Sequence, residues 1–574
     1  MGKPRNREKS KRRKPIDPQK LAKRRQVWKL RSVFSRIGFA HIPSNGIEFT
    51  FNGRTGELDE IFQQDNVIVI CECTIGKAVT EHVTKKSILF GKILSEPSAW
   101  VKEYSAFNPR FKASVSNSGY NLTEFRVRIV YVSTEGVSDE VEKHFENIRF
   151  LDGTRLRYFE LLSHTIHRSA RHEFFKYLKL DHSEIGDQIH SVKDSARKFS
   201  GHLLPEAHSG YPSGFKVVSF YADPAALLAL SYVLRQDSWR DADGLYQRIL
   251  IKGKIGKMRK YLVEKKRVFV NNIIVTLPGD TLLLDPATRK SIDAVKLHQT
   301  EQVSIIIPYS ANMIGLVDGQ HRVFCYYEGK DPLEREIASL RTRQNLLVTG
   351  LVFPEGWSPN RKREFEARLF LEINDNQARA RSALKQSIEL ILNRYSTTAI
   401  AKDITNRLAL KGPLADLLQI SFFDPSNKIK TTSIVSYGLR PLLKFDGADS
   451  LFSTWAHRYK RRLTINATAA VERSSLREAY IEYCISCIND FLIAAKLGTG
   501  ADRWKLEPRK ANQFLTPTVL NGFFVCLRRL AESSKLTTRG NYERALHGID
   551  KFPFSKYKSS GWKALGDDLY EKFF

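Results

Sequence analysis

Long apolar runs are absent from this chain of 574 residues. None approaches the roughly 20 residues that a bilayer-spanning helix needs, so no membrane partner is expected. The basic start is not followed by an apolar stretch, which argues against a secretory signal. Cysteine is scarce. Six in the whole chain make no disulfide framework, and a reducing cytoplasm is the expected location. Acidic residues are also short: 62 Asp and Glu stand against 92 Lys and Arg, a formal net charge of +30. There is no internal repeat. A Gly-x-x-x-x-Gly-Lys-Ser/Thr loop is missing, which removes a P-loop ATPase, and so is a His-Glu-x-x-His helix. Cys484 and Cys487 have no second pair to complete a zinc tetrad and read as packed thiols.

What is present is apolar enough to fold. Hydrophobic residues make up 42% and aromatics 11%, which excludes a mainly disordered chain. The length allows three or four domains. A basic, soluble, multidomain protein points to a polyanion as partner. Residues 1–25 hold twelve Lys or Arg against Glu8 and Asp17 and read as a disordered basic arm.

Apolar spacing predicts a helix over residues 22–37. Short strands follow at 47–51, 58–62 and 67–71, a helix near 79–93, and strands at 125–132 and 147–151. This order predicts a compact α/β domain over 26–200. A second unit opens at Gly214, with strands near 214–221, 273–277, 303–307, 314–318 and 346–353, and is expected to reach residue 400. From 401 to 574 the pattern is mostly helical. The fold class is therefore α/β multidomain with a helical C-terminal region.

Two constellations carry chemistry. Strand alternation puts Glu57 and Asp59 on one face, and Glu72 and Thr74 on one face of the next strand. If those strands form a hairpin, Asp59 and Glu72 converge at the end of a buried strand. Two carboxylates there are costly unless they hold a cation, and hard oxygen donors suit Mg²⁺ or Mn²⁺. The second constellation is Asp318-Gly319-Gln320-His321-Arg322, where a strand turns at a glycine into a helix. Such a turn can present main-chain N–H groups and a guanidinium to phosphate. A basic stretch from Lys252 to Arg267 flanks it. Basic–aromatic clusters at Arg458–Arg462 and Trp504–Arg509 are further candidates for gripping nucleic acid.

The first constellation resembles the PD-(D/E)xK nuclease superfamily, with Asp59 matching the Asp and Glu72 the Glu. That resemblance implies a restriction-endonuclease-like α/β domain with Asp59, Glu72 and Glu57 as catalytic candidates and Asp59 and Glu72 as metal ligands. Thr74 stands where the motif has lysine, and Lys77, Lys85 and Lys86 are the candidates to replace it. The second constellation resembles the DGQHR-domain family, which includes DndB-type proteins and has a ParB/sulfiredoxin-like core. The segments Leu245–Arg248 and Phe370–Gln377 match two further motifs of that family in order. The resemblance implies a nucleotide or DNA-phosphate site, for ATP or CTP, built from Arg248, Asp318, Gly319, Gln320, His321 and Arg322, with Asn374 and Gln377 nearby. It also implies a role in a bacterial DNA-modification or anti-phage system, with other proteins of such an operon as partners. The alternatives are a non-enzymatic DndB-like DNA-binding regulator and an NTPase accessory subunit of a DNA-modifying enzyme.

Overall fold

The computed structural model describes residues 17–574 except 45, 76–78, 135, 138, 187–188, 190–195, 234–249, 309–312, 376–381, 421–423, 425–426 and 508–512. Lys77, Arg248 and Gln377 therefore lie outside the described residues, as does the segment Leu245–Arg248. The chain forms two compact units. One contains both large sheets and ends at Glu355; the other takes Gly356–Phe574 and is mostly helical. No helix among the described residues is long and apolar enough to cross a membrane.

Helix α1, Pro18–Ile37, starts earlier than its apolar spacing predicts, and it takes the last residues of the expected arm. The cause is local. Asp17 accepts a hydrogen bond from the Gln19 N–H, and Pro18 supplies a helical φ at the first position. The inner face of α1 buries Leu30, Val33, Phe34 and Ile37, with Phe34 stacked on Phe62 at 4.0 Å. The disordered reading thus fails for residues 18–25.

Strands β1 (Ala40–Ile42), β2 (Glu48–Phe51), β3 (Arg54–Glu57), β4 (Glu60–Gln64) and β5 (Val67–Thr74) follow, then helix α2 (Val79–Ser95), β6 (Arg126–Ser133) and β7 (Ile148–Leu151). The first sheet runs β1-β4-β5-β6-β7, while β2 and β3 form a separate hairpin. β4 and β5 pair antiparallel, and β5, β6 and β7 run parallel. β5 is central and buried on both faces, as its unbroken apolar run requires. Ile68 and Ile70 pack in one core with Val83 and Phe90 of α2.

The second sheet contains β8 (Ala196–Leu203), β9 (Lys216–Ala222), β10 (Ser231–Tyr232), β11 (Ile273–Leu277), β12 (Leu282–Leu284), β13 (Glu301–Pro308), β14 (Ile314–Asp318) and β15 (Leu346–Val352). Its order is β10-β14-β11-β15-β9-β8-β13-β12. β8 was not foreseen as a strand. It lies before the expected boundary at 214, yet it pairs along its whole length with β13 and also with β9.

The second unit is built on helix Ala470–Thr499, which packs with Pro517–Glu532 and Trp562–Phe573 around a core that includes Tyr480, Phe491, Phe523 and Leu565. Helix Pro359–Asp375 falls in this unit and not with the strands before it. Cys484 is fully buried in its core.

Candidate active site

The β4–β5 register sets Glu60 opposite Cys71, so the next pair outward is Asp59 and Glu72. Glu72 continues the face of Ile68 and Ile70 and points under α2. It is only 3% exposed. On α2, His82 and Lys86 are four residues apart, which places them on one face of the helix. Both reach Glu72. The Lys86 Nζ lies 2.9 Å from Glu72 Oε1, and His82 Nε2 lies 3.8 Å from the same oxygen. His82 Nδ1 is 2.7 Å from the hydroxyl of Tyr131, whose residue is the β6 register partner of Glu72. Glu72 Oε2 is buried without a hydrogen-bond partner.

Asp59 is fixed from two sides. Its Oδ2 accepts the Cys73 main-chain N–H at 2.8 Å, and its Oδ1 faces Lys23 of α1 at 3.4 Å. Its carbonyl accepts from Ser44. Burial, and then the neighbouring Asp59 charge, push the Glu72 carboxyl up to about 7 against the pull of Lys86. Burial, helped by Lys86, lowers His82. Next along β4, Glu60 is buried and held by two hydrogen bonds from Arg31 and by His41 at 2.7 Å.

Of the two described lysines considered for the motif position, Lys86 is the one brought to Glu72. Lys85 is exposed and pairs with Glu81. Thr74 ends β5, with its carbonyl accepting from Gln26 and its side chain bonded to Tyr131. Glu57 is a correction to the sequence reading. It closes β3 opposite Glu48, exposed, while Asp59 lies in the link between β3 and β4, outside both strands. The turn between β3 and β4 breaks the alternation that would have aligned them. Lys23, His82 and Tyr131 were not anticipated. The His82–Lys86 spacing was a readable signal for two of these contacts, but only once α2 was known to cover Glu72.

A divalent hard cation fits this pair. The orphaned Glu72 oxygen needs a partner, and Asp59 offers a second carboxylate oxygen. Among the described residues no group of three or more His, Cys, Asp or Glu could hold a metal. A Mg²⁺ site needs no more than one or two carboxylates when water and substrate phosphate complete the shell.

The turn after β14 is ordered differently from expectation. Asp318 pairs with Arg322 at 2.7 Å, so the guanidinium expected to face phosphate is turned onto the carboxylate of its own turn. His321 Nε2 accepts the Ile251 N–H at 3.3 Å. Gly319 takes φ +96, and the helix after it covers only Gln320–Phe324. The β11–β14 register shifts between Ile274 and Val275, beside Asp318. Behind the turn, Arg259 of the basic stretch is 1% exposed and bonds the Cys325 and Tyr327 carbonyls, Asp331 and Glu334. It is a core cation and no part of a solvated face. Asn374 lies near the end of a helix in the second unit.

Trp504 is also a correction. It is buried and donates to Thr499, so it offers no face for a base. Tyr459 remains exposed between Arg458 and Arg462. Comparison of the chain with family models, curated proteins and solved structures found no match.

Proposed function

We propose that this chain binds DNA and hydrolyses a phosphodiester bond at Asp59, Glu72 and Lys86. The observation that carries the reading is the buried Glu72 with one oxygen on the Lys86 ammonium and the other without a partner, beside Asp59, which is bonded to the next residue of β5. Asp59 and Glu72 would hold Mg²⁺ or Mn²⁺. The ion would supply charge stabilisation to the phosphate and a more acidic water. The Lys86 Nζ sits against Glu72, where it would hydrogen-bond a phosphate oxygen. Lys23 supplies a second positive charge beside Asp59. The restriction-endonuclease-like identity of this domain, and a setting in DNA modification or phage defence, rest on the resemblances in the sequence.

The test is cleavage of DNA with Mg²⁺ or Mn²⁺ by the wild type and by Asp59→Ala, Glu72→Gln and Lys86→Ala. Each variant should lose about 10²-fold or more. Undiminished cleavage by all three variants would sink the assignment. Thr74 favours a second reading, a DNA-binding regulator without cleavage. Retained DNA binding with no cleavage by the wild type would select it. For the Asp318–Arg322 turn we retain phosphate or nucleotide binding as a subsidiary proposal, with Arg322→Ala as its probe. Unchanged ATP and CTP affinity would remove that role.

A further inference from the structure

At the opposite end of the first sheet from Glu72 lies a cavity of about 420 Å³. Its position follows from register. Arg126 pairs with Val67 at the start of β5, whereas Tyr131 pairs with Glu72 near its end. Five residues of strand separate them, roughly 16 Å. The cavity therefore stands apart from the candidate active site.

Its lining combines two chemistries. Arg126, Arg128, Arg149 and Lys179 supply positive charge, and among the described residues no carboxylate lines it. Phe125, Val127 and Leu178 supply apolar wall and are themselves buried. The guanidiniums are held mainly by main-chain carbonyls. Arg128 Nε donates to the Leu178 carbonyl at 3.1 Å and Nη1 to that of Val127 at 3.0 Å. Arg149 Nε donates to the Tyr177 carbonyl at 2.7 Å, with its guanidinium 5.2 Å from the Tyr177 ring. Arg126 uses the carbonyls of Thr123 and Glu124, and meets Glu184 at 3.4 Å. Burial lowers the Arg128 pKa, Glu184 opposes this, and Arg126 adds to it. Carbonyls orient Arg128 and Arg149, and Glu184 offsets only part of the charge of Arg126 and Arg128. Like charges gathered in a concavity are costly unless a counter-charge joins them.

We propose that this cavity binds the phosphoryl group of a nucleotide-sized ligand, with the arginines on phosphate and the apolar wall against the rest of the molecule. The volume lies in the range of small-molecule sites. Planar guanidiniums on phosphate give paired, charge-assisted hydrogen bonds. The phosphoryl group could belong to a free nucleotide or to a strand of nucleic acid, and the experiment separates the two.

The experiment is equilibrium dialysis of ATP against the full chain in EDTA, so that no metal site contributes. The proteins are wild type, Lys179→Glu, Arg149→Gln, Arg128→Gln and Arg322→Ala. Saturable binding is expected in the wild type, displaced by pyrophosphate and not by adenosine. Arg128→Gln and Arg149→Gln should weaken it about tenfold. Lys179 is exposed, so Lys179→Glu tests the site without touching the core, and it should also weaken binding. Arg322→Ala separates this cavity from the turn after β14: affinity lost there while the cavity variants bind as the wild type would place ATP at the turn. A short 5′-phosphorylated duplex that displaces ATP from the wild type assigns the phosphoryl group to nucleic acid. A duplex that does not assigns it to a free nucleotide. No saturable ATP binding by the wild type overturns the proposal. So does equal affinity in Lys179→Glu and Arg149→Gln, or a loss confined to Arg322→Ala.

Discussion

Gly319 occupies a left-handed backbone position with φ +96, and a Cβ there would sit 2.6 Å from Ile273 Cδ1. Both strain and contact oppose any side chain. Gly319→Ala should cost about 2 kcal/mol of stability, read as a lower denaturant midpoint with an unchanged slope. The turn is thus built as much for packing as for any ligand. Asp59 and Glu72 could be read from the sequence because period-two alternation and a short turn nearly force their meeting. The ammonium that joins them could not. Choosing Lys86 over Lys85 depends on the phase of α2 against the sheet, which tertiary packing sets. Glu57 misled for a related reason: a turn within four residues resets which face each side chain takes.

Among elements, the link from Lys252–Lys265 to Glu334–Arg343 runs through one buried cation. Arg259 bridges Asp331 and Glu334 at 3.0 Å each, and Arg341 joins Glu334 at 2.7 Å. Arg259→Met would take the cation from Asp331 and leave Glu334 to Arg341, and a loss of about 3 kcal/mol is expected in chemical denaturation. In composition this arginine is one of many basic residues in its stretch; only the fold distinguishes it. The second unit holds a comparable clamp. Burial would raise the Asp449 carboxyl, but hydrogen bonds from Lys444 and Arg528 outweigh it and hold it below the usual carboxylate range. A depressed folded pKa adds stability above the unfolded pKa and loses it as pH falls through the folded one. Asp449→Asn should therefore melt below the wild type near neutral pH. The gap should close as the pH drops below about 4, the ordinary Asp range. A gap independent of pH would assign the effect to packing.

At the scale of the molecule, the surplus of positive charge predicts how DNA affinity responds to salt. Log affinity should fall linearly with log salt, by about 0.9 for each phosphate neutralised. Residues 1–16 carry eight Lys or Arg against Glu8, and their removal should flatten that slope. A filter-binding series across salt concentrations checks both. The mixed α/β character and the helical C-terminal region were legible in apolar periodicity. The division into units was not, because sequence motifs mark chemistry while strand pairing marks what holds together.

β8 makes that difference a matter of time. As the chain is synthesised, Ala196–Leu203 emerges soon before β9 but long before β13, its partner at Glu301–Pro308. One edge of β8 must wait, unpaired, through the making of every intervening strand. Contacts so distant in sequence form slowly, and an open edge in the interval invites pairing with another chain. The same strand defeats any attempt to express the two motif-bearing halves as fragments cut near residue 200. Losing β8 would part β9 from β13, leaving the second sheet as two pieces that no longer share a common strand.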